Sequence, residues 1–351
     1  MRMNASEAAK LHQDSIVIDG LNASPLREPK VLDRLHAGGI TAVHATVAAP
    51  QGLGQTITSI ADHYALFERH AARILPVREA TDILTAKVTN RVGVILGFQG
   101  ADPIEDNLRL LPVYHALGVR VIQLTGDTAS RIGCGYAVAE DAGLTAFGRE
   151  AVSEMNRLGI LIDVSHCGER TTREAIQASA APVAVTHANS RRFRNEARNK
   201  APETLRAMAE KGGVVGATAF PPALTGEKSA ALEDYLRAID DLVDLLGAEH
   251  VGLGPDFREE LPRPVASAAP GAPDAEPVRG FESISAADSV TRGLLERGYT
   301  PEDVKKIIGG NWLRLYQQIW KPAFAPREGV KIEIRPGFGR RRTDWPRPAG
   351  A

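Results

Sequence analysis

The sequence predicts an α/β protein of the (β/α)8 TIM-like barrel class, with extra helices at its C-terminal end. Three observations lead there. Short, continuous apolar runs alternate with helix-like segments along the chain, and runs of that kind read as strands of a parallel sheet covered on both faces. Counting them gives eight, near residues 16, 42, 94, 121, 161, 184, 215 and 251, and eight parallel strands close into a barrel. The chain has 351 residues, 43% of them hydrophobic, enough for one large core. A single domain is expected over 1–325, followed by a basic, Pro-rich tail at 326–351.

Residues 4–13 read as a lead-in helix, and Ser15 to Gly20 as a buried first strand. A helix at 28–37 stops at Gly38-Gly39, a helix-ending pair. Ile40 to Val47 is the second strand and carries His44. An amphipathic helix follows at 55–73, then the apolar run Val92 to Phe98, ending at Gln99-Gly100. A helix at 104–117 stops at Gly118 before the strand Val119 to Leu124. Residues 126–142, rich in Gly and Ala, are expected to form an irregular loop over the strand ends. Leu144 to Leu158 is helical. Helices at 202–211 and 230–246 flank the strand Gly213 to Phe220, and His250 to Gly254 is the last strand. The Pro- and Ala-rich stretch 259–280 is a long loop, after which helices return at 284–297, 301–308 and 310–320.

Composition narrows the function classes. The net charge is -1, so no basic field points to nucleic acid. Two cysteines, Cys134 and Cys167, cannot build a disulfide framework and fit a reducing compartment. The first residues lack an apolar signal core and no run is long enough to span a bilayer. The expectation is a cytoplasmic protein without membrane partners.

The chemistry gathers at 160–199. Leu161-Ile162-Asp163-Val164-Ser165-His166 and Val183-Ala184-Val185-Thr186-His187 are successive strand endings, each carrying a histidine. Between them, Glu169 to Ser179 reads as a helix with Thr171 or Thr172 as its cap. Histidines at the C-terminal ends of neighbouring barrel strands stand on the rim where such barrels do chemistry. They are placed to share a metal or to flank a scissile bond. A satisfied structural histidine is the plainer reading for either one alone.

With these residues in view, the chain resembles the membrane (renal) dipeptidase family of zinc peptidases over roughly 15–320. The similarity rests on GLTAFGREAVSEMNRLGILIDVSH (143–166), PVAVTHAN (182–189), ARN (197–199), HVGLGPDF (250–257) and RGYTPEDVKKIIGGNWLRL (297–315). The resemblance implies a two-zinc centre at the strand ends, hydrolysis of dipeptides and a homodimer. His166 and His187 match the histidines that bind one zinc. Asp256 matches an aspartate that binds the other and handles the proton of the attacking water. Arg198 matches an arginine that holds the substrate carboxylate. Other positions depart from the pattern: a His-x-Asp pair of ligands reads Leu21 and Ala23, the bridging glutamate is Gln99, and a carbonyl-polarising histidine is Gly126.

Leu21 and Ala23 cannot bind metal, and an amide brings no charge. Zinc hydrolysis needs three protein ligands and an open position. One zinc, or another divalent ion, is therefore expected rather than two, on His166, His187 and either Gln99 or Asp256. Asp256 is then the general base, and a metal-free site is the other outcome. Arg198, Asp127 and His44 are the substrate-side candidates, with Arg198 suited to a carboxylate. His44 also reads as a core histidine and Asp127 as a loop or capping residue. Cys167 is a soft ligand or a buried apolar side chain, and Asp163 and Asp19 are orienting groups or interior hydrogen-bond partners. The functions in play are a metal-dependent hydrolase of a carboxylate-bearing dipeptide or small amide, a small-molecule binding or accessory protein, and a lyase or isomerase on the same pocket.

Overall fold

The computed structural model describes residues 4–261 and 275–320. Among the described residues there are nine parallel strands: β1 (Ile18–Asn22), β2 (Ala42–Ala48), β3 (Ile74–Pro76), β4 (Val92–Phe98), β5 (Val119–Gln123), β6 (Leu161–Asp163), β7 (Ala184–Val185), β8 (Val214–Ala217) and β9 (Val251–Leu253). Eight of them run β1-β2-β4-β5-β6-β7-β8-β9 as a nearly closed barrel, and β3 pairs outside this path with β4. Closure comes just beyond β9. Ala23 N donates to Phe257 O at 2.8 Å and Asp256 N to Leu21 O at 3.3 Å. The two positions expected to offer metal ligands in a two-zinc centre thus sit where the barrel is stitched shut.

The eight-strand barrel is as the sequence predicts, but several elements differ. The helix expected at 55–73 spans Leu53–Arg69, and the residues after it form β3. Three residues ending in proline give little strand signal, and proline is tolerated there because β3 lies off the barrel path. A helix at Ala80–Val88 also separates β3 from β4. The helix expected at 104–117 is a 3-10 turn, Asp102–Ile104, and a shorter helix, Leu110–Ala116. Thr171 and Thr172 do not cap the helix Glu169–Ala178, whose N-cap is Gly168. That end is held from outside by Asp141, which accepts from Thr171 N at 3.0 Å and Thr171 Oγ1 at 2.7 Å. The tail at 326–351 and most of the Pro-rich loop lie outside the described residues.

Two apolar layers hold the barrel. The larger lies between the strands and the surrounding helices. The smaller fills the barrel floor, where Ile18, Ala42, Leu161, Ala184 and Val214 from the early part of their strands meet Trp312, Leu315, Tyr316 and Ile319. The helix Asn311–Ile319 is therefore a plug. Its Trp312 is fully buried and donates Nε1–H to Leu253 O at 2.9 Å. A Cβ at Gly20, Gly216 or Gly252 would stand 2.7, 3.0 or 2.5 Å from the indole, so glycine at these strand positions makes room for the ring. The capping box at the first helix, Asn4 with Glu7, fixes its start. His12 then ties that helix to Gly38 O at 2.9 Å and Thr291 Oγ1 at 2.7 Å. No helix among the described residues is long and apolar enough to cross a membrane.

Removing the plug should be costly. Trp312→Ala is expected to destabilise the fold by about 3–5 kcal/mol, the range for emptying a large buried aromatic site. The shift of the denaturant midpoint measures it, and a loss below about 1 kcal/mol would contradict the plug.

Candidate active site

β6 and β7 each run only as far as the barrel rim, and a buried carboxylate organises the turns that follow. Asp163 Oδ1 accepts from Ser165 N at 2.9 Å, Ser165 Oγ at 2.5 Å and Thr186 N at 3.0 Å, while Oδ2 accepts from Thr186 Oγ1 at 2.6 Å. Ser165 Oγ in turn accepts from His187 N at 3.1 Å. The interior hydrogen bonding and the orienting role foreseen for Asp163 are one network, and it sets the direction of both histidines.

The same network assigns the ring tautomers. Thr186 Oγ1 spends its proton on Asp163, so it accepts from His187 Nδ1 at 2.7 Å. His166 Nδ1 faces the carboxylate of Asp127 at 2.6 Å and also carries its proton. The two Nε2 atoms face each other at 2.8 Å, close enough for one ring to donate to the other when no ion is bound. Burial lowers the pKa of both rings. The positive Arg198 adds to this at His166; His166, Arg198 and Arg258 add to it at His187. Two neutral rings aim their metal-binding atoms at one place.

The 126–142 loop supplies the outer wall, as an irregular segment folded over the rim. Gly135 packs so closely on the backbone of Gly126 and Asp127 that a Cβ would collide there. Tyr136 N donates to His166 O at 2.8 Å, and the Tyr136 ring meets His166 edge-on at 5.8 Å. Burial, ahead of the nearby Asp127 charge, pushes the Tyr136 hydroxyl up to about 12, so it stays protonated.

Opposite stands Asp256, fully buried at its side chain and left-handed at φ 64°, a conformation that aspartate tolerates better than most residues. Arg198 Nη2 donates to its Oδ2 at 2.9 Å and Arg258 Nη2 to the same oxygen at 3.2 Å. Burial alone would raise this carboxylate, but Arg258 and Arg198 outweigh it and hold it below the ordinary value. Both guanidinium groups lie over Phe220, at 4.8 and 5.6 Å from the ring centre.

The remaining expected residues make no hydrogen bond to the histidine pair, although His44 is near enough to lower the pKa of His187 electrostatically. Gln99 Nε2 donates to Thr46 Oγ1 at 2.7 Å, within the β2–β4 wall, and no hydrogen bond joins it to the histidines. His44 is fully buried; its Nδ1 meets Gly20 O at 2.8 Å and its other edge packs on Gly97. It has no hydrogen bond to His166 or His187. Cys167 lies in the main apolar core, where burial first of all raises its thiol to about 11 and Thr125 Oγ1 donates to its Sγ at 3.4 Å. Asp19 accepts from Asn22 Nδ2 at 2.9 Å and Leu21 N at 3.1 Å, and burial raises it to about 8. Among the described residues no three His, Cys, Asp or Glu side chains converge in a geometry ready for an ion. Arg258 and Tyr136 escaped the sequence reading. Arg258 follows Asp256 by two residues and stands at the edge of the stretch read as a long Pro- and Ala-rich loop, so nothing local marked it.

Comparison with known proteins agrees with this picture. The sequence profile of the membrane dipeptidase family, peptidase family M19, matches residues 5–324. An uncharacterized dipeptidase of Schizosaccharomyces pombe is 30% identical over 250 residues, covering 68% of this chain and 56% of that protein. The dipeptidase verJ of Clonostachys rogersoniana is 26% identical over 366 residues, covering 93% and 89%. The crystal structure of an amidohydrolase from Pseudomonas aeruginosa superposes with a TM-score of 0.85 at 32% identity, covering 89% of this chain and 99% of the other. The chain spans little more than half the length of several of the curated relatives it matches. A family match across nearly the whole chain, on a barrel that carries a histidine pair at its rim, makes this protein a member of the membrane dipeptidase family.

Proposed function

We propose that the protein is a metal-dependent hydrolase of dipeptides or related small amides that bear a carboxylate, working with one divalent ion, zinc by preference, held by His166 and His187. The observation that carries this reading is the convergence of the two Nε2 atoms to 2.8 Å on rings that burial disfavours from charging, where an ion could take the place of the shared proton. The donors on that side fit a zinc ion, which takes imidazole nitrogen readily. The other side does not fit a second ion. Leu21 and Ala23 offer no donor, Gln99 is bonded to Thr46, and Asp256 is held by two arginines. What such an ion supplies when bound is Lewis acidity, acidifying water and polarising a carbonyl.

The chain's own residues do the rest. Asp127 fixes the His166 ring and Thr186 the His187 ring, each through Nδ1. Arg198 takes the substrate carboxylate, and Asp256 accepts the proton of the attacking water. As long as two guanidinium groups hold it, Asp256 is a weak base. A substrate that draws Arg198 away returns its basicity, so binding and base activation are coupled. Homodimerisation and a cytoplasmic location belong to the same proposal. The second reading, a carboxylate-binding protein without turnover, is the less favoured one, since the family and its relatives are dipeptidases.

Protein purified without added metal should contain about one divalent ion per chain, and His166→Ala or His187→Ala should lose it. About two ions per chain would sink the single-site reading, whereas none, with no dipeptide turnover at saturating zinc, would favour the binding protein. Asp127→Ala is expected to weaken the ion by about 10–100-fold in chelator competition, the usual effect of removing the partner of a ligating histidine. An unchanged affinity would show that Asp127 does not orient His166.

A further inference from the structure

Arg258 is unaccounted for by anything derived above, and its surroundings give it a task. A single carboxylate, Asp256, is shared by two guanidinium groups. Arg198 takes one oxygen at 2.9 Å, whereas Arg258 spans both, Nη2 to Oδ2 at 3.2 Å and Nε to Oδ1 at 3.5 Å, a parallel pair stretched beyond the usual length of charge-assisted bonds that leaves its Nη1 unused. The acidic residues next in the chain do not serve Arg258. Glu259 and Glu260 turn to Arg34 at 2.7 and 2.8 Å. Asp127, whose charge Arg258 also feels, holds His166. Arg258 therefore has unspent donors among the described residues.

Depth separates the two arginines. The Arg198 side chain is 4% exposed and that of Arg258 26%, so one lies at the bottom of the site and the other at its mouth. Phe220 lies beneath both cations and fixes their spacing. The buried Arg198 Nε also has no hydrogen-bond partner. Two flat cations at different depths share Asp256, and the other carboxylate near them, Asp127, is taken up by His166, so Arg258 at the mouth is the cation with the loosest hold on an anion.

We propose that Arg258 is a second anion-binding residue of the site, and that the preferred ligand is an acidic dipeptide: one carboxylate for Arg198 and a second, on a side chain, for Arg258. This rests on the proposed function for the dipeptide scaffold, while the acidic preference rests on Arg258 alone. The chemical class is that of aspartyl or glutamyl dipeptides. The neutral amide counterparts lack the charge that Arg258 would pair and leave it facing Asp256 at its present long distances.

Equilibrium binding tests this without requiring turnover. Alanyl-aspartate against alanyl-asparagine, and aspartyl-alanine against asparaginyl-alanine, differ in one anionic group. They would be titrated calorimetrically into the full chain with chelator present, with the C-terminal residue in both L and D forms. In at least one pair the acid should bind roughly 10–100-fold more tightly than the amide, the scale of a charged hydrogen bond. The ratio should collapse in Arg258→Gln and persist in part in Arg258→Lys, with thermal melting confirming that both variants fold. Equal binding of acid and amide in every pair, a preference that survives Arg258→Gln, or no binding of any of the peptides overturns the inference. Tight, Arg258-dependent binding of the acid with no hydrolysis after zinc is restored defeats the hydrolase reading alone. Equal binding and cleavage of acid and amide defeats this inference alone.

Discussion

The site depends on one buried ion-dipole cluster, the Asp163 carboxylate with Ser165 and Thr186. A carboxylate in a barrel interior is costly unless its lone pairs are filled, and here four donor groups fill them. What is gained is direction. β6 and β7 share the register pair Asp163 and Ala184, too short a ladder to fix two turns. The side-chain network takes over where the backbone ladder stops, and it passes through Thr186 to the nitrogen that sets the His187 tautomer. Asp127 does the same for His166 from a different part of the chain. The convergence of the two imidazole Nε2 atoms is a product of both.

A second theme is how the structure manages positive and negative charge once ligands are missing. Where the resemblance calls for carboxylates and a histidine, the chain has Leu21, Ala23 and Gln99, and none of these could balance a second dication. Asp256 remains, fully buried, and a lone buried carboxylate cannot stay ionised without a cation. The chain meets that need with guanidinium groups. Arginine suits it because its charge is permanent and its flat face stacks on an aromatic ring such as Phe220.

Much of this was legible in the sequence, and what was not has a physical cause. Continuous apolar runs such as Val92 to Phe98 marked strands buried on both sides, and their number gave the barrel. The lost ligands could be read directly, since no conformation lets leucine or alanine bind metal. β3 was hidden because three residues carry no periodicity. The cap of the helix after β6 was hidden because Asp141, which holds it, lies 30 residues away in sequence from Thr171, and local cap patterns cannot see that far. Asp127 and Arg258 depend on how loops fold back over the rim. Their chemistry was visible in the sequence, but their partners were not.

The plug at the barrel floor bears on how the chain is made. The stitch between Leu21 and Asp256 waits for the last strand, and the indole that fills the floor arrives only at residue 312. During synthesis from the N-terminus, the earlier strands emerge with their floor unfilled and their edge unpaired. Such intermediates expose apolar surface and open strand edges, the features that make large α/β chains prone to aggregate before they finish folding. A chain halted after β8 but before Phe257 would therefore hold a barrel that is nearly all present and unable to close, and one halted between Phe257 and Trp312 would hold a closed barrel with an empty floor.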